Sequence, residues 1–423
     1  MIASAPAPVD SRVSHFRWTI CALLFFATSI NYIDRQVLSI LAPELQRSIG
    51  WNELQYGYIV TAFQGAYALG LLFIGRLMDR IGTRMGYPLI MAIWSVAAML
   101  HALAGSALGF GIARGLLGLG EAGNFPAAIK TVAEWFPKQE RAFATGIFNA
   151  GSNVGAIVAP LVVPWIALTL GWRWAFVSTG ALGFLWLAFW RPLYRSPDQS
   201  SRVSQAELAW IRSDIPEPAV QPTWRQLLPY RNTWAIAFAR FLTDPIWWFF
   251  LFWLPKLLGS RFGVTLSGLG PPLVVIYVLA DVGSVGGGWI SSLLIRAGWR
   301  VHRARLVAML VCALCVVPVF AASQTQHLWL AVGLIGLAAA AHQGWSANVY
   351  TLASDLFPSQ IVGAVVGLAG LCGAIGGMLF SSIAGYLLQQ ANDFRPLLFV
   401  ASAAYLTALA VVHLLTRTDR PTT

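Results

Sequence analysis

Charge is scarce in this chain. Asp, Glu, Lys and Arg make up only 11% of its 423 residues, against about a quarter in an ordinary soluble domain. So few charged side chains cannot solvate the outside of a globule this size, and a water-soluble fold is excluded. Cysteine is scarcer still, with four residues. Cys21, Cys312, Cys315 and Cys372 all fall in apolar runs. Cys312 and Cys315 form a C-x-x-C, but no second ligand pair stands near them, so free thiols that act as small packing residues are expected. No Ser-His-Asp ordering, metal-ligand cluster or phosphate-binding loop occurs, so the chain is expected to be no enzyme and to hold no metal and no cofactor. The first apolar run is too long for a cleavable leader and lacks a small-residue cleavage site, so it is expected to stay.

What the chain has is hydrophobicity: 57% apolar residues and a mean hydropathy of +0.65. About twelve runs are long enough to span a bilayer, near 17–42, 54–75, 85–104, 108–134, 142–169, 173–191, 233–258, 268–295, 305–322, 328–354, 363–390 and 395–415. The expected fold is an all-α membrane protein. Residues 1–16 form a tail, 17–191 a first six-helix bundle, 192–232 a linker, 233–415 a second six-helix bundle and 416–423 a second tail. The linker is rich in Pro, Ser, Arg and Glu, with one weakly amphipathic stretch near 206–215, and is not expected to form a domain.

Lys and Arg set the orientation. With the N-terminus cytoplasmic, that face collects Arg12, Arg17, Arg76, Arg80, Arg84, Lys138 and Arg141, six arginines from Arg191 to Arg231, and Arg296, Arg300, Arg303, Arg305, Arg417 and Arg420. The other face keeps Arg47, Arg173, Lys256, Arg261 and Arg395. Both termini are therefore expected inside. The net charge of +11 is spread over orienting loops rather than gathered in one basic stripe, so nucleic acid is not an expected partner. A repeat supports the division into halves. Glu134-Trp-Phe-Pro137-Lys-Gln139 followed by Gly146 matches Asp355-Leu-Phe-Pro358-Ser-Gln360 followed by Gly367, with identical spacing.

Four charges interrupt this pattern inside apolar runs: Asp34 and Arg35 in the first, Arg114 and Glu121 in the fourth. Each costs a few kcal/mol at the bilayer centre, so they are expected to face a polar cavity and work there. Helix rise puts Arg35 and Arg114 at similar depth and Glu121 about 10 Å from Arg114. The two arginines could grip one anion, because a guanidinium meets a carboxylate bidentately and stays charged. Asp34 and Glu121 are candidate proton carriers, since burial favours their neutral form and a neighbouring arginine their charged form. Asp34 and Arg35 point about 100° apart, and Arg114 and Glu121 are two turns apart, so neither couple neutralises itself within its helix. Asn149 and Asn153 share a face at i, i+4 and could hydrogen-bond a hydroxyl-rich solute. Trp247, His342, Gln343 and Trp345 could complete the pocket, the aromatics facing the C–H side of a sugar ring. Arg240–Asp244 and Lys130–Glu134 read as local i, i+4 pairs. Asp281 is an unpaired acid with no evident partner, and the glycines from Gly363 to Gly377 suit close helix contact.

The pattern Gly75-x-x-x-Asp79-Arg80-x-Gly82-x-Arg84, with the twelve runs and the central linker, resembles the major facilitator superfamily over essentially the whole chain. The strings NYIDR (31–35), GEAGNFPAAIK (120–130), FNAGSNVGAIVAP (148–160), LTDPIWWFFLFWLPK (242–256) and HQGWSANVYTLASDLFP (342–358) resemble its anion:cation symporter family, and most closely bacterial hexuronate transporters. The resemblance implies two pseudo-symmetric six-helix bundles that alternate access to a central site. It also implies Tyr32 and Tyr67 beside the substrate, and Asp79 with Arg80 as a gate. The second half departs from the gate pattern, with Ser292 at the acidic position. The implied activity is proton-coupled uptake of glucuronate or galacturonate across a bacterial inner membrane by a monomer. Symport or exchange of another organic anion, such as an aldonate or small carboxylate, and a membrane sensor that binds without transporting, are the alternatives.

Overall fold

The structure is a computed structural model that describes residues 14–213, 224–357 and 359–416, without the side chains of Arg76, Asp79, Lys138, Ala142, Trp224, Arg225, Ser359 and Gln360. Fourteen α-helices run through the described residues. The first half holds α1 (Phe16–Ile49), α2 (Glu53–Leu100), α3 (Ala107–Glu121), α4 (Asn124–Trp135), α5 (Lys138–Leu170) and α6 (Trp172–Leu193). Short helices α7 (Gln205–Ile211) and α8 (Trp224–Leu227) follow. The second half holds α9 (Arg231–Phe262), α10 (Gly270–Arg296), α11 (Val301–Val316), α12 (Leu328–Leu356), α13 (Ser359–Ala391) and α14 (Arg395–Leu415).

Local chemistry sets the breaks. Gly50, at φ 82°, ends α1 in the left-handed conformation, its N–H donating to the Gln46 carbonyl. Asn52 opens α2 with a reciprocal cap to Gln55. Gly82, at φ 72° and ψ 165°, splits α2 into two spanning segments. The fourth run is interrupted at Ala122–Gly123, which divides α3 from α4. Among the described residues, ten helical segments are long and apolar enough to cross a membrane. The interrupted α3–α4 pair and α6 complete twelve, as the hydropathy pattern anticipates. No strand occurs among the described residues.

The two halves repeat one packing scheme. In the first, α1 packs on α5, α2 on α3 and α6 on α2; in the second, α9 packs on α13, α10 on α12 and α14 on α11. Across the halves α2 meets α13 and α5 meets α10, with α1 against α9. The same close approach recurs in each half. A Cβ on Gly151 of α5 would lie 2.3 Å from the Phe25 carbonyl oxygen of α1, and one on Gly376 of α13 would lie 2.3 Å from that of Phe241 on α9. Hydrogen bonds and ring contacts between the halves, among the described residues, run from Tyr67–Trp248 at mid-depth to Glu53–Lys256 at the end remote from Ser14 and Thr416.

At the other end the linker is fastened to the first half. Glu207 of α7, fully buried, accepts the N–H groups of Phe16 and Arg17 (3.2 and 3.1 Å) and so caps α1. Arg17 bridges Glu207 at 3.0 Å and Glu140 of α5 at 2.9 Å. The two repeated acids also serve this end. Glu134 accepts from Thr83 and Tyr194, at 2.7 and 2.6 Å, and Asp355 from Arg305 at 3.0 Å. All four cysteines are free.

Candidate functional site

The charged residues of α1 and α3 converge. Arg35 projects from α1 toward α3, where its Nε and Nη2 lie 2.9 and 2.8 Å from Glu121 Oε2. Asn31, one turn earlier on α1, accepts a second bond from Nη2 at 3.1 Å. The partner of Arg35 is therefore on another helix, 86 residues away. The within-helix couples weighed from the sequence are not the ones that form.

Aromatic rings surround this guanidinium. Its carbon stands 4.7 Å from the Tyr32 ring centroid, 5.3 Å from Phe63, 5.2 Å from Tyr67 and 5.3 Å from Trp248. Trp248 comes from α9 in the second half, so the cage closes across the interface. Each face can attract the cation, by about 0.5–2 kcal/mol. Phe63 and Tyr67 share a stripe of α2 at i, i+4, as Asn31 and Arg35 do on α1.

Arg114 is fully buried. Its Nη2 donates to the Arg35 carbonyl oxygen at 2.5 Å, which fixes the two arginines at similar depth, as helix rise suggests. The Phe63 ring is shared, 5.1 Å from the Arg114 guanidinium, with Phe252 at 5.6 Å. Arg114 Nε and Nη1, both oxygens of Asp34 and Glu121 Oε1 have no protein partner. Asp34 is 2% exposed. Two arginines and two acids thus share one direct ion pair. Desolvated groups left without partners are costly, so they mark places where a proton, water or ligand atom changes the balance.

The second half contributes less than the sequence suggests. Trp247 is half-buried and stacks on His342, with centroids 5.3 Å apart and planes 3° apart. His342 Nδ1 shares a 2.6 Å hydrogen bond with the Tyr405 hydroxyl. Trp345, 1% exposed, meets the same Tyr405 ring edge-on at 5.5 Å. Trp345 is therefore turned into the second bundle toward α14, its Nε1 without a protein partner. It shares its helix face with His342 at i, i+3, and that face is the packed one. Gln343, one step round α12, is half-buried, and Tyr350, two turns on, is exposed. Arg240 pairs with Asp244 at 2.7 Å, as expected, and lies 5.0 Å over the Tyr350 ring.

Other expected residues stand apart. Asn149 is exposed and Asn153 half-buried on α5, where the Ser152 hydroxyl donates to the Asn149 backbone carbonyl and to Asn153 Oδ1. Asp281 is half-buried with Oδ1 lacking a partner, one turn past Tyr277, whose ring meets Trp247. Arg80 is exposed; the side chain of Asp79 lies outside the described residues. Sequence reasoning missed Asn31, Phe63, Trp248 and Tyr350. The i, i+4 stripes Asn31/Arg35 and Phe63/Tyr67 carry a signal for the first two. Trp248 is hidden in a run of aromatics, where only the helix angle separates it from Trp247.

A profile of the Major Facilitator Superfamily matches residues 24–381. The hexuronate transporter of Escherichia coli (strain K12) is 31% identical over 410 residues, covering 95% of this chain and 94% of that protein. The D-galactonate transporter of Escherichia coli O6:H1 is 29% identical over 412 residues, covering 94% and 95%. Among solved structures, a bacterial homolog of the human lysosomal transporter Spinster, inward-facing and occupied, superposes with a TM-score of 0.76 at 19% identity, covering 96% of this chain and 98% of that one.

Proposed function

Because this chain belongs to the major facilitator superfamily, we propose that it imports a hexuronate, glucuronate or galacturonate, together with protons. It works as a monomer in a bacterial cytoplasmic membrane with both termini inside. The observation that carries this reading is the buried Arg35–Glu121 pair inside its aromatic cage. A carboxylate of the protein occupies the guanidinium that a substrate carboxylate would need, so the two compete for one fork.

Protonation decides the competition. A proton on Glu121, delivered from outside, releases Arg35, and the sugar acid takes its place. Tyr32, Tyr67 and Gln343 offer polar groups to its hydroxyls, and Trp247 and Trp248 offer ring faces to its C–H side. After the halves rock, Glu121 loses its proton to the cytoplasm, reclaims Arg35 and expels the anion. Asp34, buried without a partner, takes a second proton, and Arg114 reinforces the positive site behind Phe63. Contacts between halves gather at the end remote from the termini, which suits an inward-open empty transporter with its pair re-formed. Asp79 and Arg80 are the proposed gate that helps hold the cytoplasmic side shut in the outward-open state. Two protons per monoanion carry net positive charge inward, and the membrane potential assists by about 2.3 kcal/mol per charge per 100 mV.

Glu121→Gln tests the coupling in sealed vesicles. It should abolish accumulation of labelled glucuronate driven by a pH gradient while preserving exchange of labelled for unlabelled substrate. Uptake that still follows the gradient would reject the role. The galactonate transporter's similarity favours a second reading, an aldonate as substrate. Competition by glucuronate, galacturonate and galactonate, with and without a gradient, ranks the two.

A further inference from the structure

A cavity of about 500 Å³ lies between the halves at the end remote from the termini, away from the Arg35 cage. Its volume falls in the ~300–1,000 Å³ range of small-molecule sites. The end of α1 supplies Gln46 and Arg47 to its wall, the start of α2 supplies Glu53, and the end of α9 supplies Lys256 and Ser260. Lys256 is 6% exposed. Its Nζ lies 2.5 Å from Glu53 Oε2 and 4.6 Å from the centroid of Tyr56. Glu53 Oε1 accepts from Gln46 Nε2 at 3.0 Å, and the Glu53 N–H donates to Gln389 Oε1 at 3.1 Å. Beside them the Tyr56 hydroxyl donates to the Phe252 carbonyl at 2.5 Å. One lysine of the second half is thus held by a carboxylate of the first, at the wall of a chamber of ligand size, as part of the seal between them.

We propose that this cavity is an outer docking site for a carboxylate anion, read by Lys256, and that Glu53 is the carboxylate that occupies Lys256 while the outer end is closed. The proposal rests on the transport reading for the identity of the anion. An arriving sugar acid replaces Glu53 at Lys256, and the replacement dissolves a tie between halves. Recognition of the solute and unsealing of the outer end are then one exchange of partners. No group is transferred; only ion-pair partners change.

The test reads occupancy at the cavity rather than transport. Ser260 is exposed and lines the chamber. In right-side-out vesicles, Ser260→Cys is labelled with a membrane-impermeant maleimide, with the parent chain as control, while glucuronate is titrated in. Glucuronate should protect the thiol. Adding Lys256→Met should raise the half-protecting concentration about tenfold, and adding Glu53→Gln should lower it, because the internal competitor is gone. A merely structural pair would move both variants in the same direction. Protection must survive Arg35→Lys, which weakens the central cage; if it disappears there, the central site produced it and the proposal falls. No protection in Ser260→Cys, or equal half-protecting concentrations in all variants, overturns it as well. Glucuronate that protects but is never accumulated by the parent chain would defeat the transport reading and leave the docking site standing.

Discussion

At the scale of single residues, the site depends on a guanidinium rather than on positive charge alone. Arg35 meets one carboxylate oxygen through two nitrogens while a third contact holds Asn31. Lysine offers a compact ammonium on a flexible stem and cannot reproduce that fork. Arg35→Lys should therefore lower glucuronate uptake at least tenfold at fixed substrate concentration, with the protein still present in the membrane by immunoblot. Parent-level uptake would show that charge alone suffices. The four charges were legible in the sequence because an ionised side chain inside an apolar run has few uses other than function. Their pairing was not. Whether Glu121 pairs with Arg35 or with Arg114 depends on the rotation of α1 against α3, which no one-dimensional spacing contains. The aromatic residues were legible in kind but not in direction. Trp247 and Trp248 are equivalent in sequence, yet about 100° of helix rotation sends one to His342 and the other to Arg35.

At the scale of elements, the site exists because α3 can lie close against α2. A Cβ on Gly118 would stand 2.3 Å from the Phe63 carbonyl oxygen, and Phe63 carries the ring both arginines share. Gly118→Ala must push the helices apart and move Arg114 and Glu121 with them. The expected cost is about 1–3 kcal/mol from overpacking, seen as a lower thermal midpoint in detergent together with reduced uptake. Gly111→Ala, on the same helix with nothing within 4 Å, is the control and should change neither; equal effects would remove Gly118 from the argument. The start of α14 yields a pH-dependent case. Burial pushes the Asp393 carboxyl up, but the bonds from the Arg395 amide (3.0 Å) and guanidinium (2.8 Å), with that residue's charge, outweigh it and hold it below the usual carboxylate range. A carboxyl depressed in the folded state stabilises above its unfolded value, near pH 4, and stops doing so as pH falls through the folded value. Asp393→Asn should therefore lower the thermal midpoint slightly at pH 7, and the difference should vanish in strong acid. A gap that persists at low pH would assign the effect to something other than ionisation. The spanning segments themselves were legible, since length and hydropathy suffice for them. The break between α3 and α4 and the docking of α7 were not. Apolar periodicity runs straight through the first, and the second depends on Glu207 reaching the amides of another helix.

At the scale of the whole molecule, two similar bundles joined by a long linker can rock only if the contacts between them are breakable at both ends in turn. Here the hydrogen bonds between them, among the described residues, gather at one end, beside aromatic contacts that reach the Arg35 cage. Glu53 holds Lys256 and Gln389, Tyr56 holds the Phe252 carbonyl, and the Thr61 hydroxyl stands 2.9 Å from that of Ser382. The linker's first part is pinned to the first half through Glu207 and Arg17. A covalent tie at Thr61 and Ser382 should therefore stop the cycle without disturbing either bundle. With their hydroxyls 2.9 Å apart across α2 and α13, Thr61→Cys with Ser382→Cys should form a disulfide under mild oxidation. Oxidised vesicles should lose accumulation and exchange of labelled glucuronate alike, because substrate can no longer enter from outside, and a reductant should restore both. Either single cysteine variant should ignore the oxidant. A bridge that forms, as judged by loss of free thiol, while uptake continues would mean that the α2–α13 contact does not open during transport and that the halves do not rock about this end.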